Sequence, residues 1–153
     1  MTWTADLQDG YQLSTDRDRL DLPTVSAFLS TESYWAKGRS AELISRSIDN
    51  SLAFGLYDGG GSQAGLTRVV GDGATFGYVC DVFVLTGHRG RGLGKAMLAA
   101  VLTHPDVAPL SRLMLATADA HDLYARYGFT ELVEPRRWME RRSADFNLPP
   151  MES

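Results

Sequence analysis

The stretch VFVLTGHRGRGLGKAMLAAVL, residues 82–102, places a glycine-rich loop between an apolar run with β-branched residues and apolar residues at helical spacing. This order predicts a turn between a strand and a helix, where unpaired amides meet the positive end of the helix dipole. Glycines there let a ligand approach the backbone, because they have no Cβ atom. The loop also carries the basic side chains of His88, Arg89, Arg91 and Lys95, in a chain of net charge −4. The stretch therefore predicts a local anion site, and the alternative is a flexible turn with solvated arginines.

Two well-known phosphate-binding loops do not match the spacing. A Walker loop requires a glycine five residues before its Gly-Lys pair and a hydroxyl after it, and Arg89 and Ala96 occupy those places. A dinucleotide fingerprint, Gly-x-Gly-x-x-Gly, would need its third glycine at Lys95 or Met97. What remains is Arg-x-x-Gly-x-Gly over residues 89–94, a spacing that still suits a pyrophosphate at a helix N-terminus.

The composition predicts one soluble domain and narrows its partners. The chain has 153 residues, 44% of them hydrophobic and 22% charged, which is ordinary for a single globular domain. Its acidic balance argues against general nucleic-acid binding, which requires a basic face. Cys80 is the one cysteine, which excludes an intramolecular disulfide and suits a reducing cytoplasm. No segment approaches the ~18 apolar residues of a membrane span, and no secretory signal is evident. We therefore expect a cytoplasmic protein without a membrane partner.

Hydrophobic periodicity predicts a mixed α/β domain over residues 1–153, with a C-terminal tail at about 143–153. Asp21 and Ser40 are candidate helix caps, and Leu43, Ile44 and Ile48 would form the buried side of the second helix. The predicted strands are 10–15, 52–58, 63–72, 75–85, 111–117 and 136–142, and the predicted helices are 21–30, 39–51, 119–128 and one that starts at Leu93 and ends before Pro105. The central three strands should be antiparallel, because short turns join them. The arginines of the last strand, Arg136, Arg137, Arg141 and Arg142, would protect a sheet edge.

Two segments of the chain resemble the GNAT superfamily of acyl-CoA-dependent N-acyltransferases. DVFVLTGHRGRGLGKAML (81–98) is similar to its cofactor loop, and ATADAHDLYARYGF (116–129) to its downstream strand–helix segment. The resemblance implies a mixed α+β fold with a mostly antiparallel sheet of six to seven strands, splayed near its middle, and about four helices. It also implies acetyl-CoA or a related acyl-CoA as the donor, and a primary amine of a small molecule or peptide as the usual acceptor. Dimers are common in the family, so a homodimer is an open expectation.

The resemblance also assigns the cofactor-binding positions. The backbone of Val82, Phe83 and Val84 would pair with the pantetheine arm like an added strand. The loop and the helix start would hold the pyrophosphate through Arg89, Gly90, Arg91, Gly92, Leu93, Gly94 and Lys95. Thr117 stands where the family often has an asparagine, which leaves the contact to the pantetheine arm there in doubt, because a hydroxyl cannot copy the pair of hydrogen bonds of an amide.

The implied chemistry is attack by a neutral amine on a thioester. It requires removal of an ammonium proton, stabilisation of an oxyanion and protonation of a thiolate. Tyr124 aligns with the family's general-acid tyrosine, and Tyr127 is the competing phenol. Asp81 is the candidate base, because a carboxylate in so apolar a run is either partly desolvated with a raised pKa, or paired and structural. Strand alternation predicts that Asp81 shares a face with Val79 and Phe83. A water chain is the family's other route for the proton.

The acceptor pocket of the family lies where the first two helices connect, which corresponds to TESYWAKGR (31–39). Tyr34 and Trp35 would either stack on the acceptor or close the edge of the core. The three histidines lack metal-ligand spacing, so we expect no metal site. The rival function is a non-catalytic module of the same fold that binds or senses acyl-CoA.

Overall fold

The computed structural model describes residues 1–146 and 148–151, and within these ranges the chain forms one six-stranded sheet and four α-helices. The strands are β1 (Thr4–Asp6), β2 (Gln12–Ser14), β3 (Leu52–Tyr57), β4 (Gln63–Gly71), β5 (Phe76–Val84) and β6 (Arg112–Leu115). The helices are α1 (Leu22–Ala27), α2 (Ala41–Asp49), α3 (Leu93–Val101) and α4 (His121–Ala125), and a π-helical turn at Phe28–Glu32 extends α1. The mixed α+β fold predicted from the sequence is confirmed.

The strands lie in the sheet in the order in which they occur in the chain. Neighbours from β1 to β5 are antiparallel, as the short turns predict, whereas β5 and β6 are parallel. The parallel pairing joins only Phe76–Val79 of β5 to β6. In the described part of the chain no strand pairs with this edge of β5 after Val79, so the sheet opens there.

A β-bulge interrupts β5 where the sheet opens. Between the cross-strand pairs Leu66–Phe83 and Arg68–Cys80, β5 carries one residue more than β4. Asp81 lies in this bulge with φ at 50°, a backbone conformation that non-glycine residues seldom adopt. Bulges bend a strand and re-aim its side chains, and here the affected side chain is a carboxylate.

The bulge sends the two halves of β5 into different hydrophobic cores. Val79 packs in the core beneath α3, whereas Phe83 lies in the core with α1 and α2, its ring stacked on Phe28 at 4.1 Å. The prediction that Val79 and Phe83 share a face is therefore wrong. The physical reason is the extra residue, because a shift by one position moves every later side chain to the opposite face.

The predicted starts of α1 and α2 agree with the structure more closely than the predicted buried face of α2 does. Asp21 accepts a hydrogen bond from the Thr24 amide, and Ser40 accepts one from the Leu43 amide, as expected of N-caps. Ile44 is buried, but the Leu43 side chain is exposed, which corrects the predicted face of α2. The second strand, β6 and α4 are shorter than predicted, and β1 was not predicted at all.

The predicted strand at 136–142 is wrong. Pro135–Arg137 forms a 3-10 turn, and residues 138–142 adopt no regular structure. The guanidinium carbon of Arg112 lies 4.8 Å from the centroid of the Trp138 ring, so Trp138 packs on this side chain and its segment does not pair with β6. Two of the four arginines pair locally, Arg137 with Glu134 and Arg142 with Glu140. Because residues 136–142 form no strand, the prediction that these arginines protect a strand edge is wrong. The predicted tail at 143–153 falls partly outside the described residues.

Candidate active site

The open edge of β5 is the first part of the candidate site. The Phe83 carbonyl faces Gly65 of β4, so alternation directs the backbone groups of Val82 and Val84 towards the open edge. The Nε of Arg89 donates to the Val84 carbonyl at 2.9 Å, which joins the glycine loop to the strand end. This geometry offers strand-like hydrogen bonds at Val82 and Val84, whereas Phe83 contributes through its packing.

The glycine loop ends in a helix start that no side chain caps within the described residues. Gly92 is the N-cap of α3 with φ at 74°, and Gly90 has φ at 80°, conformations that only glycine adopts readily. A Cβ placed on Gly90 or Gly94 would meet no atom within 4 Å. Arg91 and Lys95 are exposed beside this space. The first amides of α3, open space and positive side chains therefore meet at one point, as an anion site requires.

The turn between β1 and β2 forms two hydrogen bonds with the glycine loop. The Gln8 side chain donates from Nε2 to the Arg91 carbonyl at 3.2 Å. A hydrogen bond of 2.7 Å joins the Tyr11 hydroxyl to Nδ1 of His88. Both contacts fix the loop through residues that are distant in sequence, so Gln8 and Tyr11 are positioning residues for the candidate anion site.

The Asp81 carboxylate is paired, which decides between the two sequence alternatives. Its side chain is 2% exposed and forms ion pairs with Arg68 at 2.9 Å and Arg39 at 3.2 Å. The indole nitrogen of Trp35 donates a further hydrogen bond to Oδ1 at 2.9 Å. These three donors occupy both oxygens of a buried carboxylate, so an incoming amine would have to displace a charge-assisted hydrogen bond to reach it. The geometry does not support Asp81 as the general base.

Replacing Asp81 with asparagine should lower the free energy of unfolding by about 3 kcal/mol, because it leaves two largely buried guanidiniums without a countercharge. The matched control is Asp49→Asn, which removes the carboxylate of the exposed Arg17–Asp49 pair and should cost less than about 1 kcal/mol. Urea unfolding curves of both variants measure the difference. Equal losses would contradict a structural role for the buried cluster.

The two phenols that compete for the acid role have different surroundings. Tyr124 is buried in α4, and burial, followed by the nearby Tyr34 and Asp119, raises its pKa. The Tyr127 hydroxyl donates to the Lys95 carbonyl at 3.1 Å and so serves to hold α4 against α3. No protein hydrogen bond occupies the Tyr124 hydroxyl within residues 1–146 and 148–151. Only Tyr124 therefore keeps its proton for a ligand.

Thr117 stabilises the start of α4. Its Oγ1 accepts hydrogen bonds from the amides of Ala120 at 3.1 Å and Asp119 at 3.4 Å. The hydroxyl proton is left for donation to a ligand, so one contact to a pantetheine arm stays a prediction.

Tyr34 and Trp35 cross the opening between β5 and β6. Their rings meet edge to face at 5.1 Å, and the Tyr34 hydroxyl accepts a hydrogen bond of 3.0 Å from the Ala118 amide in the loop before α4. Both side chains are half-buried. They join the Asp81 cluster to the segment that carries Tyr124, and their contact with an acceptor stays a prediction.

A groove with apolar and charged lining residues lies along β6. It runs between β6, α4 and residues 129–138, and it includes Thr117 and Tyr124 but no residue of β5 or of the glycine loop. Apolar residues and charges share this surface. The candidate site is instead the opening along β5, where the parallel pairing with β6 ends at Val79.

Comparisons with known proteins agree with this geometry. Residues 49–131 match the family model described as the acetyltransferase (GNAT) domain. A Gibberella zeae protein, named as a candidate acetyltransferase, is 33% identical over 143 residues, covering 81% of this chain and 79% of the relative. The chain belongs to the GNAT acetyltransferase family. The resemblance that the two sequence segments suggest is thus confirmed.

Two solved structures are similar to this GNAT acetyltransferase over most of its length. A candidate acetyltransferase of the GNAT family from Xanthomonas campestris pv. campestris is 48% identical, with a TM-score of 0.84 over 87% of this chain and 93% of the other. A Mycobacterium tuberculosis protein solved in complex with CoA is 20% identical, with a TM-score of 0.64 over 78% of this chain and 72% of the other. The latter comparison shows a shared fold.

The remaining expectations concern membrane spans, metal sites, cellular location and oligomeric state. Among the described residues, no helix is long and apolar enough to cross a membrane, and no three His, Cys, Asp or Glu side chains gather into a metal-binding group. The cytoplasmic location and the homodimer stay predictions.

The sequence interpretation missed the partners of Asp81 in this GNAT acetyltransferase. A signal for Arg68 exists, because it is the one charged residue in AGLTRVV (64–70), within a strand predicted to pair with that of Asp81. Two lone opposite charges in adjacent apolar strands indicate a buried ion pair. The sequence does not predict the contacts of Arg39, Gln8 and Tyr11, because these residues lie in connections whose course depends on the tertiary fold.

Proposed function

We propose that this protein transfers an acetyl group from acetyl-CoA directly to a primary amine of a small molecule or peptide. The observation that carries the proposal is the open edge of β5 leading into the uncapped start of α3. Tyr124 lies near Tyr34, whose neighbour Trp35 bonds to Asp81 of β5. Family membership supports acetyl transfer, and the two similar folds solved with CoA, from Mycobacterium tuberculosis and Neisseria gonorrhoeae, support CoA as the carrier.

The residues present suit an acyl-CoA. The space beside Gly90 and Gly94, which a Cβ would partly fill, lies next to the first amides of α3. These amides, together with Arg91 and Lys95, would hold the pyrophosphate, and Val82 and Val84 would pair with the pantetheine arm. The bound acyl-CoA supplies an activated thioester, and the chain supplies binding, orientation and proton transfer.

Direct transfer is favoured over an acyl-enzyme on Cys80. Burial raises the pKa of the Cys80 thiol to about 11, with the nearby Arg68 acting in the opposite direction. At neutral pH this thiol is almost entirely protonated and is therefore a poor nucleophile. The incoming amine would then attack the thioester itself.

The proton steps are shared between Tyr124 and solvent. The phenol of Tyr124 would donate a hydrogen bond to the sulfur while negative charge develops on it. Because Asp81 is paired, the ammonium proton would leave through water before attack.

An amine panel tests this function. Wild-type protein, acetyl-CoA and polyamines, amino acids, aminoglycosides, arylamines or peptides are combined, and the CoA thiol and the acetylated amine are both measured. We expect amine-dependent thiol release in a one-to-one ratio with an acetylated product. Binding of acetyl-CoA without release by any amine would contradict the proposal and favour a module that only binds or senses acyl-CoA.

A further inference from the structure

The Asp81 cluster carries one excess positive charge. The carboxylate accepts from Arg68 Nε at 2.9 Å, from Arg39 Nη1 at 3.3 and 3.2 Å, and from Trp35 Nε1 at 2.9 Å. These four hydrogen bonds use about all the lone pairs that a carboxylate offers. Asp81 therefore neutralises one guanidinium and leaves the charge of the second without a full partner.

Arg39 is the member of the cluster that can reach a ligand. Its side chain is 28% exposed, against 11% for Arg68, which also donates to Ser51 at 3.4 Å. Arg39 uses only Nη1 in the protein, and its Nε and Nη2 have no acceptor among the described residues. No second carboxylate lies within 4.0 Å of either guanidinium in the same part of the chain. A planar edge of two donors is thus left for an oxyanion.

A series of contacts joins the Arg39 guanidinium to the segment before α4. Trp35 donates to Asp81 and contacts the ring of Tyr34, and Tyr34 is bonded to Ala118 before α4. Tyr34 is also close enough to Tyr124 to raise its pKa, as is Asp119. These contacts therefore connect a positive group, Arg39, to a region that holds the proposed acid, Tyr124, and a negative group, Asp119.

We propose that Arg39 binds an oxyanion of the acceptor, so that the preferred acceptors are primary amines that also carry a carboxylate or a phosphate. This inference rests on the proposed function, because it names the class of amine. The anionic group would lie at the Nε and Nη2 edge of Arg39, and the amine would point towards Tyr124. Polyamines would be disfavoured, because they bring only positive charge to a cluster that already has an excess of it.

Matched acceptor pairs test the inference. Glycine, β-alanine, 4-aminobutyrate and phenylalanine are each compared with their amides, and phosphoethanolamine is compared with ethanolamine. Binding to the CoA-loaded protein is measured by calorimetry, and turnover by thiol release. For at least one pair we expect the acid to exceed its neutral partner at least about tenfold in affinity and in kcat/KM, since a charge-assisted hydrogen bond contributes about 1.5–3 kcal/mol. The carboxylate and phosphate arms identify which oxyanion is preferred.

Variants of Arg39 separate recognition from folding. Arg39→Gln should reduce the acid-to-amide ratio to about one through KM and leave acetyl-CoA affinity unchanged, and Arg39→Lys should restore part of the ratio. The control is Arg46→Gln, an exposed arginine of α2, which should keep the wild-type ratio. Equal behaviour of acid and neutral partner in every wild-type pair, or an equal loss of both in Arg39→Gln, would overturn the inference. Acid-selective binding that depends on Arg39 but produces no thiol would sustain the oxyanion site and overturn the proposed function instead.

Discussion

Replacing Tyr124 with phenylalanine should lower kcat at least about tenfold and leave the affinity for acetyl-CoA nearly unchanged. The hydroxyl has no partner within the described residues, so its removal breaks no contact that holds the fold there. Phenylalanine also fills the same space beside Phe129, whose ring centroid lies 5.8 Å from that of Tyr124. Steady-state rates with the best amine of the panel, together with calorimetric titration of acetyl-CoA, measure the two quantities separately.

The pH dependence gives this variant a second readout. A phenol of pKa ~10 that protonates a thiolate whose acid has a pKa of ~8.5 works uphill by about 2 kcal/mol. Because burial raises the pKa of Tyr124, full transfer is harder still, but the phenol stays protonated at neutral and mildly alkaline pH. We therefore expect the alkaline fall of kcat to begin at a higher pH than the pKa of an exposed phenol would give, and to be absent in Tyr124→Phe.

The matched control is Tyr127→Phe, which removes the competing phenol and its hydrogen bond to the Lys95 carbonyl. It should lower stability by about 1 kcal/mol and change kcat little. If both variants lost the same activity, or if Tyr124→Phe weakened acetyl-CoA binding as much as turnover, Tyr124 would have a structural role.

The parts of the fold that depend on local pattern were predictable. The glycine loop, the start of α3 and the three central strands follow from periodicity and turn residues, and Asp21 and Ser40 occupy the cap positions that their side chains favour. Two motifs also sufficed for the family. The same reasoning could not foresee the bulge at Asp81, because alternation within a strand contains no mark of an inserted residue.

The errors have a common physical origin in long-range contacts. The predicted strand at 136–142 does not form, because Trp138 packs on Arg112 and the segment stays irregular. Whether Asp81 is a free base or a paired structural carboxylate depends on Arg39, a residue 42 positions away in the chain. In the candidate site, the sequence therefore indicated which residue types matter, whereas their partners had to come from the structure.

Gly94 permits a direct test of the acyl-CoA site. In the free protein a Cβ at this position meets no atom within 4 Å and requires no unusual φ, so Gly94→Val should fold normally. The added side chain would stand beside the first amides of α3, where the pyrophosphate is proposed to bind. The control is Gly60→Val in the turn between β3 and β4, where the nearest atom to a Cβ is Asp58 Oδ1 at 3.5 Å.

The decisive measurement is calorimetric titration of acetyl-CoA into the wild type, Gly94→Val and Gly60→Val, with thermal unfolding of each as a check. The account predicts binding to the wild type and to Gly60→Val, and an affinity at least about tenfold lower for Gly94→Val at an unchanged unfolding temperature. No binding to the wild type at high micromolar acetyl-CoA, or equal binding to Gly94→Val, would contradict it.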